Sequence, residues 1–210
     1  MLKRIKFKKQ KPEINEWLFP KTTTILVSGK AGVGKTTVAN NLRNYLDAEQ
    51  ITPYALVVPF ALGVKEVAKS MGWDSKKDTR GRKLLQDIGN LGREYNENAW
   101  VDYLMDYIGN NIPQEMIDII IIDDWRFPNE SDYFLNRPEL YTTFMINVQS
   151  PKREVLKGTS YYKDVSETSL DGYNKFNYII ENHGTLEDLE TKSVNVLYDI
   201  IEESKKGGKP

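Results

Sequence analysis

The chain has 210 residues, 40% of them hydrophobic, enough for one domain with its own core and a small inserted lid. Its 29 Lys and Arg stand against 30 Asp and Glu, and a net charge of −1 gives no global field to attract nucleic acid. With no cysteine, disulfides, thiol nucleophiles and thiolate metal sites are excluded, and a reducing compartment fits.

The first eleven residues carry Lys3, Arg4, Lys6, Lys8, Lys9 and Lys11 alternating with Leu2, Ile5 and Phe7. This reads as a solvated edge strand or strap over the core, in preference to a nucleic-acid or membrane arm. No apolar signal-peptide core follows, and the apolar stretch over 117–122, broken by Asp118, is too short to span a bilayer. A cytoplasmic location is expected.

An apolar run over 24–28 predicts the first strand, and residues 35–48 predict the first helix. Between them lies Gly29-Lys30-Ala31-Gly32-Val33-Gly34-Lys35-Thr36, which fits G-x-x-x-x-G-K-[ST]. Strand, glycine loop and helix are the context that makes this pattern a phosphate-binding loop. The glycines let backbone N–H groups turn inward onto an anion, and the helix aims its positive end at the same point. Lys35 is expected on the β- and γ-phosphates of a nucleoside triphosphate, and the Thr36 hydroxyl on Mg²⁺.

Beyond the loop, strands are predicted over 54–58, 116–122, 142–148 and 177–180, and helices near 61–70, 81–96, 98–110 and 185–204. Alternating strands and helices argue a parallel sheet covered on both faces. The third strand runs into Asp123-Asp124-Trp125-Arg126-Phe127-Pro128-Asn129-Glu130. Ligands gather at the carboxyl ends of parallel strands, so an acidic pair there can hold Mg²⁺, directly or through water. The alternative is that the aspartates cap the next helix or start a turn. Arg126 can fork onto a phosphate bidentately, which suits a second phosphorylated substrate better than an attacking water.

Here the chain resembles the nucleoside monophosphate kinases, and among them the bacteriophage-type deoxynucleoside monophosphate kinases. Besides the loop, Phe60-Ala61 with Lys65 looks like that family's F-A-x-x-x-K segment. The stretch from Arg82 through Leu85-Gln86 to Gly89, with Arg93 and Trp100, looks like R-x-x-L-Q-x-x-G…R…W. Residues 124–130 look like D-x-R-F-x-N-E. Ser166-Glu167 and Asn182-His183-Gly184-Thr185-Leu186 look like its S-E and N-x-G-T-L elements.

The resemblance implies one P-loop kinase domain over 1–210, an α/β fold of five parallel strands with helices on both faces. It also implies a helical acceptor region over 60–110 and a lid over 150–168, with a flexible tail at 205–210. ATP would be held by Gly29, Lys30, Ala31, Gly32, Val33, Gly34, Lys35, Thr36 and Thr37, with Arg153, Asn182 and Gly184 near the base. Lys65, Arg82, Gln86, Arg93, Trp125 and Arg126 would bind the acceptor, and Thr36, Asp123 and Asp124 the Mg²⁺. Lys35, Asp124 and Arg126 would carry the transfer of a phosphoryl group from ATP to a (deoxy)nucleoside monophosphate. Small-molecule nucleotides are the expected partners, with neither membrane nor nucleic acid expected and a homodimer left open.

The residues themselves add detail. Arg82 and Arg93 lie eleven apart, near three helical turns, so they can share a face with Gln86, while Arg80 competes with Arg82 for that register. Trp73, Trp100 and Trp125 can stack on a base, but aromatics at such positions more often fill the core. Arg153 and Lys157, four apart, act together if their segment is helical. His183, the sole histidine, reads as a bystander in its turn. Rival functions are a kinase of another phosphorylated acceptor such as dephospho-coenzyme A, an ATPase or GTPase switch, and a nucleotide sensor without transfer. No N-K-x-D guanine motif is present.

Overall fold

In the computed structural model, residues 21–150, 152–153 and 155–206 are described. The basic run at 3–11 and the last four residues of the tail lie outside them. Five strands, β1 (Thr22–Ser28), β2 (Ala55–Val58), β3 (Ile119–Ile122), β4 (Tyr141–Gln149) and β5 (Tyr178–Glu181), form one sheet in the order β2-β3-β1-β4-β5. All four pairings are parallel, with Leu26 of β1 level with Ile122 of β3 and Met145 of β4.

The period-2 alternation of strands sorts the sheet into two dry faces. Ile25, Val27, Ile119, Ile121 and Ile146 point to one side. There they meet Leu42 and Leu46 of α1 (Lys35–Ala48) and Leu197 and Ile201 of α7 (Leu186–Lys206). Leu26, Ile120, Ile122 and Met145 point to the other, against Leu104 and Ile108 of α4 (Ala99–Asn111) and Phe134 of α5 (Pro128–Leu135). Both faces are covered, which is why β3 reads Ile-Ile-Ile-Ile with no polar partner in the alternation.

Helices α2 (Leu62–Ser70), α3 (Thr79–Tyr95) and α4 fill the connection between β2 and β3. This is the predicted helical region. Four local expectations change. The third strand starts at Ile119, because Gln114–Met116 closes a 3-10 turn first. Helix α5 has no counterpart in the predicted elements. The lid segment is made of turns around 155–158, then a 3-10 turn (Ser160–Lys163) and the single turn α6 (Val165–Thr168). Arg153 and Lys157 therefore share no helix face. At the far end, Lys205 and Lys206 belong to α7 rather than to a tail.

Candidate active site

The loop between β1 and α1 is shaped by its glycines at two critical points. Gly29 has φ +139°, and a Cβ there would drive into the Val148 carbonyl, which is backbone and cannot swing away. Gly34, at φ +107°, leaves no room for a side chain beside the Asn182 amide, 2.8 Å from where a Cβ would sit. The N-cap of α1 is Gly34, which has no side chain to cap the first-turn N–H groups of Lys35, Thr36 and Thr37. Uncapped donors at a positive helix end form an anion site.

Lys35 folds back into that site, donating to the carbonyls of Gly29 at 2.8 Å and Lys30 at 2.9 Å. Burial lowers its pKa from 10.5 to about 7, helped by Arg126 and opposed by Glu167, Asp124 and Asp123. Lys30 is occupied elsewhere: its ammonium reaches the Glu167 carbonyl and the Asp171 carboxylate, both at 2.5 Å. Only its backbone remains to meet a phosphate.

Residues 123–130 form the opposite wall, and almost every side chain there holds something in place. Asp123 accepts from the Thr36 hydroxyl at 2.6 Å. Asp124 turns the other way and accepts the backbone N–H groups of Phe60 at 2.7 Å and Ala61 at 3.1 Å. Desolvation, then Asp123, pushes its carboxyl above the ordinary aspartate range. The acidic pair is thus divided, which corrects the expectation that both aspartates join one metal set. Asp123 with Thr36 offers two hard oxygens side by side, and Asp124 anchors the start of α2. That donor set fits Mg²⁺, which takes one or two protein oxygens and completes its shell from phosphate and water. Among the described residues no group of three or more His, Asp or Glu forms a metal cage.

Trp125 is corrected as well. It is wholly buried, its indole N–H donates to the Phe127 carbonyl at 2.8 Å, and Tyr173 and Phe176 meet it edge-on at 5.3 and 5.6 Å. It cannot stack on an acceptor base. Trp125→Ala is expected to lower unfolding free energy in urea by about 3–5 kcal/mol while leaving substrate KM values of the folded protein unchanged. A raised acceptor KM at unaltered stability would restore the stacking role.

Arg126 projects into the cleft beside the loop. Its Nη1 pairs with Glu167 Oε1 at 2.7 Å and reaches the carbonyls of Gly29 and Ser166, both at 3.3 Å. Glu130 pins the backbone at this point, accepting from the N–H groups of Arg126 at 2.8 Å and of Phe127, the N-cap of α5, at 3.0 Å. Burial raises the Glu130 carboxyl to about 8, against the pull of those two N–H groups and Arg93. Phe127 supports Arg93, whose guanidinium lies 4.0 Å over the ring. Asn129 donates to the Glu97 carbonyl at 2.8 Å, tying the motif to the approach of α4.

The result is a cleft of about 650 Å³ between the loop and the helical region. Lys65, Arg82, Gln86 and Arg93 line it together with Trp100. Arg82 takes the cleft register, and Arg80 is exposed outside it. Lys77 also lines the cleft and was not foreseen. Desolvation, then Lys65 and Arg82, lowers its pKa, which marks it as part of one cationic group. Its only signal in sequence is the basic stretch Lys76-Lys77 ahead of the Asp78 N-cap.

On the other side of the loop, Arg153 donates to Asn182 Oδ1 at 3.2 Å and to the Gly184 carbonyl at 2.6 Å. The Asn182 amide in turn donates to the Val33 carbonyl at 2.8 Å, and the Val155 N–H to Ala31 at 3.2 Å. The three residues predicted near the donor base are therefore assembled against the loop. Lys157 and His183 do not line the cleft. No helix among the described residues is long and apolar enough to cross a membrane.

No family model matches the chain. An uncharacterised protein, ORF77 of Ictalurid herpesvirus 1 (strain Auburn), is 25% identical over 164 residues. The match covers 76% of this chain and 66% of that protein, just under two thirds of its length. A gluconokinase from Sinorhizobium meliloti 1021 is similar at TM-score 0.47 and 12% identity, covering 91% of this chain and 99% of its own. Shikimate kinase from Aquifex aeolicus has TM-score 0.43 and 15% identity, covering 84% and 96%. At these scores the likeness carries no argument about function, which rests on the residues of the cleft.

Proposed function

We propose that the chain transfers the γ-phosphoryl group of ATP to the phosphate of a (deoxy)nucleoside monophosphate, giving ADP and the diphosphate. One observation carries this reading. A second cationic wall, Lys65, Lys77, Arg82 and Arg93, faces the phosphate loop across one cleft, and Arg126 stands between them. A hydrolase has no need of a second anion site beside its triphosphate.

ATP would lie with its base near Arg153, Asn182 and Gly184 and its phosphates in the loop. The open N–H groups of α1 and the Lys35 ammonium take the charge of the β- and γ-oxygens. A magnesium ion on Thr36 and Asp123 would offset the charge that spreads over the transferred group. The acceptor phosphate would be gripped from the far wall and by Arg126, so both reactants are held in line. An acceptor that is already an anion needs no general base, and positioning with electrostatic stabilisation supplies most of the rate.

The direct test is incubation with ATP, Mg²⁺ and each ribo- and deoxyribonucleoside monophosphate in turn, following diphosphate formation. Transfer to at least one is expected. ATP hydrolysis that no monophosphate accelerates or diverts would overturn the reading in favour of a switch.

The lowered pKa of Lys35 gives a second measurable outcome. At pH 8 a group titrating near 7 is about nine-tenths neutral, and triphosphate favours its charged form. Binding of Mg-ATP at pH 8 is therefore expected to take up about one proton, falling to about 0.1 at pH 6. Calorimetry in buffers of different ionisation enthalpy reads this directly. Proton release, or uptake that does not depend on pH, would contradict it.

A further inference from the structure

We propose that Glu167 is a positioning residue that ties Arg126 to the phosphate loop and so aims the free edge of its guanidinium at the transferring phosphate. The inference rests on the two-nucleotide reading of the cleft and adds a residue to it. Glu167 lies on α6, far along the chain from both partners, yet each carboxylate oxygen has a separate task. Oε1 holds Arg126 Nη1 at 2.7 Å, and Oε2 accepts the Ala31 N–H at 2.9 Å. The backbone around it repeats the tie: the Glu167 carbonyl takes the Lys30 ammonium at 2.5 Å, and the Ser166 carbonyl takes Nη1 at 3.3 Å.

All side-chain bonds of Arg126 among the described residues run through Nη1. The other guanidinium donors, Nη2 and Nε, keep no protein partner there. Two such donors on one edge match two oxygens of a phosphate. The Glu167 side chain is 5% exposed and that of Arg126 22%, so the pair sits in the cleft wall with its glutamate side the more buried. An arrangement serving stability alone would have no reason to leave the opposite edge of the arginine open. At Lys35 the Glu167 charge also opposes the repulsion from Arg126; these two cations otherwise disfavour each other when no phosphate is bound. Replacing the carboxylate by a neutral group leaves Arg126 free to swing, and a misplacement of about 1 Å costs on the order of 100-fold in rate.

The test is a double-mutant cycle of Glu167→Gln and Arg126→Ala, read as kcat and KM for each substrate, with urea unfolding alongside. Glu167→Gln is expected to lower kcat/KM for the acceptor about 100-fold, with KM for ATP within about threefold of wild type. In the Arg126→Ala background the same change is expected to cost under about twofold, because no guanidinium remains to be aimed. Glu167→Asp keeps the charge but withdraws it by one methylene. It is expected to keep the unfolding midpoint near wild type while losing activity, which separates aim from folding. Equal losses in both backgrounds, or full activity in Glu167→Gln, would overturn the proposal. If wild type hydrolyses ATP but phosphorylates no monophosphate, the acceptor reading falls, and the same cycle read on hydrolysis still decides the part played by Glu167.

Discussion

Lys35→Ala is expected to reduce phosphotransfer by about a thousandfold or more while the protein stays folded. The ammonium is the one charged group of the loop that is not tied to an acidic side chain, held only by the Gly29 and Lys30 carbonyls. An arriving triphosphate offers it stronger acceptors at the point where transition-state charge develops. Stability should move differently from activity. Burial lowers the folded pKa to about 7 from 10.5, so between those values the unfolded chain binds more protons than the folded one. Stability from this group therefore rises with pH across that window, and below about 7 the buried charge acts against folding. Removing Lys35 relieves that strain at neutral pH, against the loss of two hydrogen bonds to carbonyls. The unfolding midpoint at pH 7 is thus expected to change little. Its rise from pH 7 to 9.5 is expected to flatten relative to wild type. Turnover within tenfold of wild type, in an assay of diphosphate formation, would refute the assigned role.

What could be read in advance was local. The phosphate loop declares itself within eight residues, because tight backbone geometry demands glycine and the anion demands Lys35 and Thr36 beside a helix start. The sheet was legible through periodicity, since strands buried on both faces must be apolar throughout. Helix α5 was hidden: it has eight residues, opens on Pro128, and its start is held by the Glu130 carboxylate on the Phe127 N–H more than by an apolar stripe. The acidic pair and Trp125 show a different limit. The chain turns at Asp123 and Asp124 directly after β3, so neighbouring side chains diverge: Asp123 meets Thr36 while Asp124 meets Phe60 and Ala61, and Trp125 enters the core. Glu167 and Lys77 needed the tertiary fold to bring them to the cleft. Nothing in a four-residue turn of helix or a basic loop tells which group on the other side of the chain it will face.

Arg126→Ala is expected to lower kcat/KM for the monophosphate by about a thousandfold, at the low end of what one arginine contributes to phosphoryl transfer. KM for ATP should change far less, because the α1 N-terminus, Lys35 and the Arg153–Asn182–Gly184 cluster stay in place. The substitution also strands Glu167, whose Oε1 loses its partner, and breaking such a pair can cost stability in its own right. Unfolding must therefore be measured beside activity, and a loss of rate at assay temperatures well below the midpoint is the result that counts. Arg126→Lys is the sharper comparison. It keeps the charge beside Glu167 but cannot hold Glu167 with one nitrogen and fork onto a phosphate with two others. Rescue of stability without rescue of transfer is expected. Full recovery of transfer by lysine would mean that the site needs only positive charge. The observed geometry, with Nη1 committed on one side and the opposite edge open to the cleft, would then have no part in the reaction. Wild-type acceptor kinetics in Arg126→Ala would go further and remove the link between the loop and the basic wall, since Arg126 reaches the Gly29 carbonyl from residues 123–130 and lines the cleft with that wall.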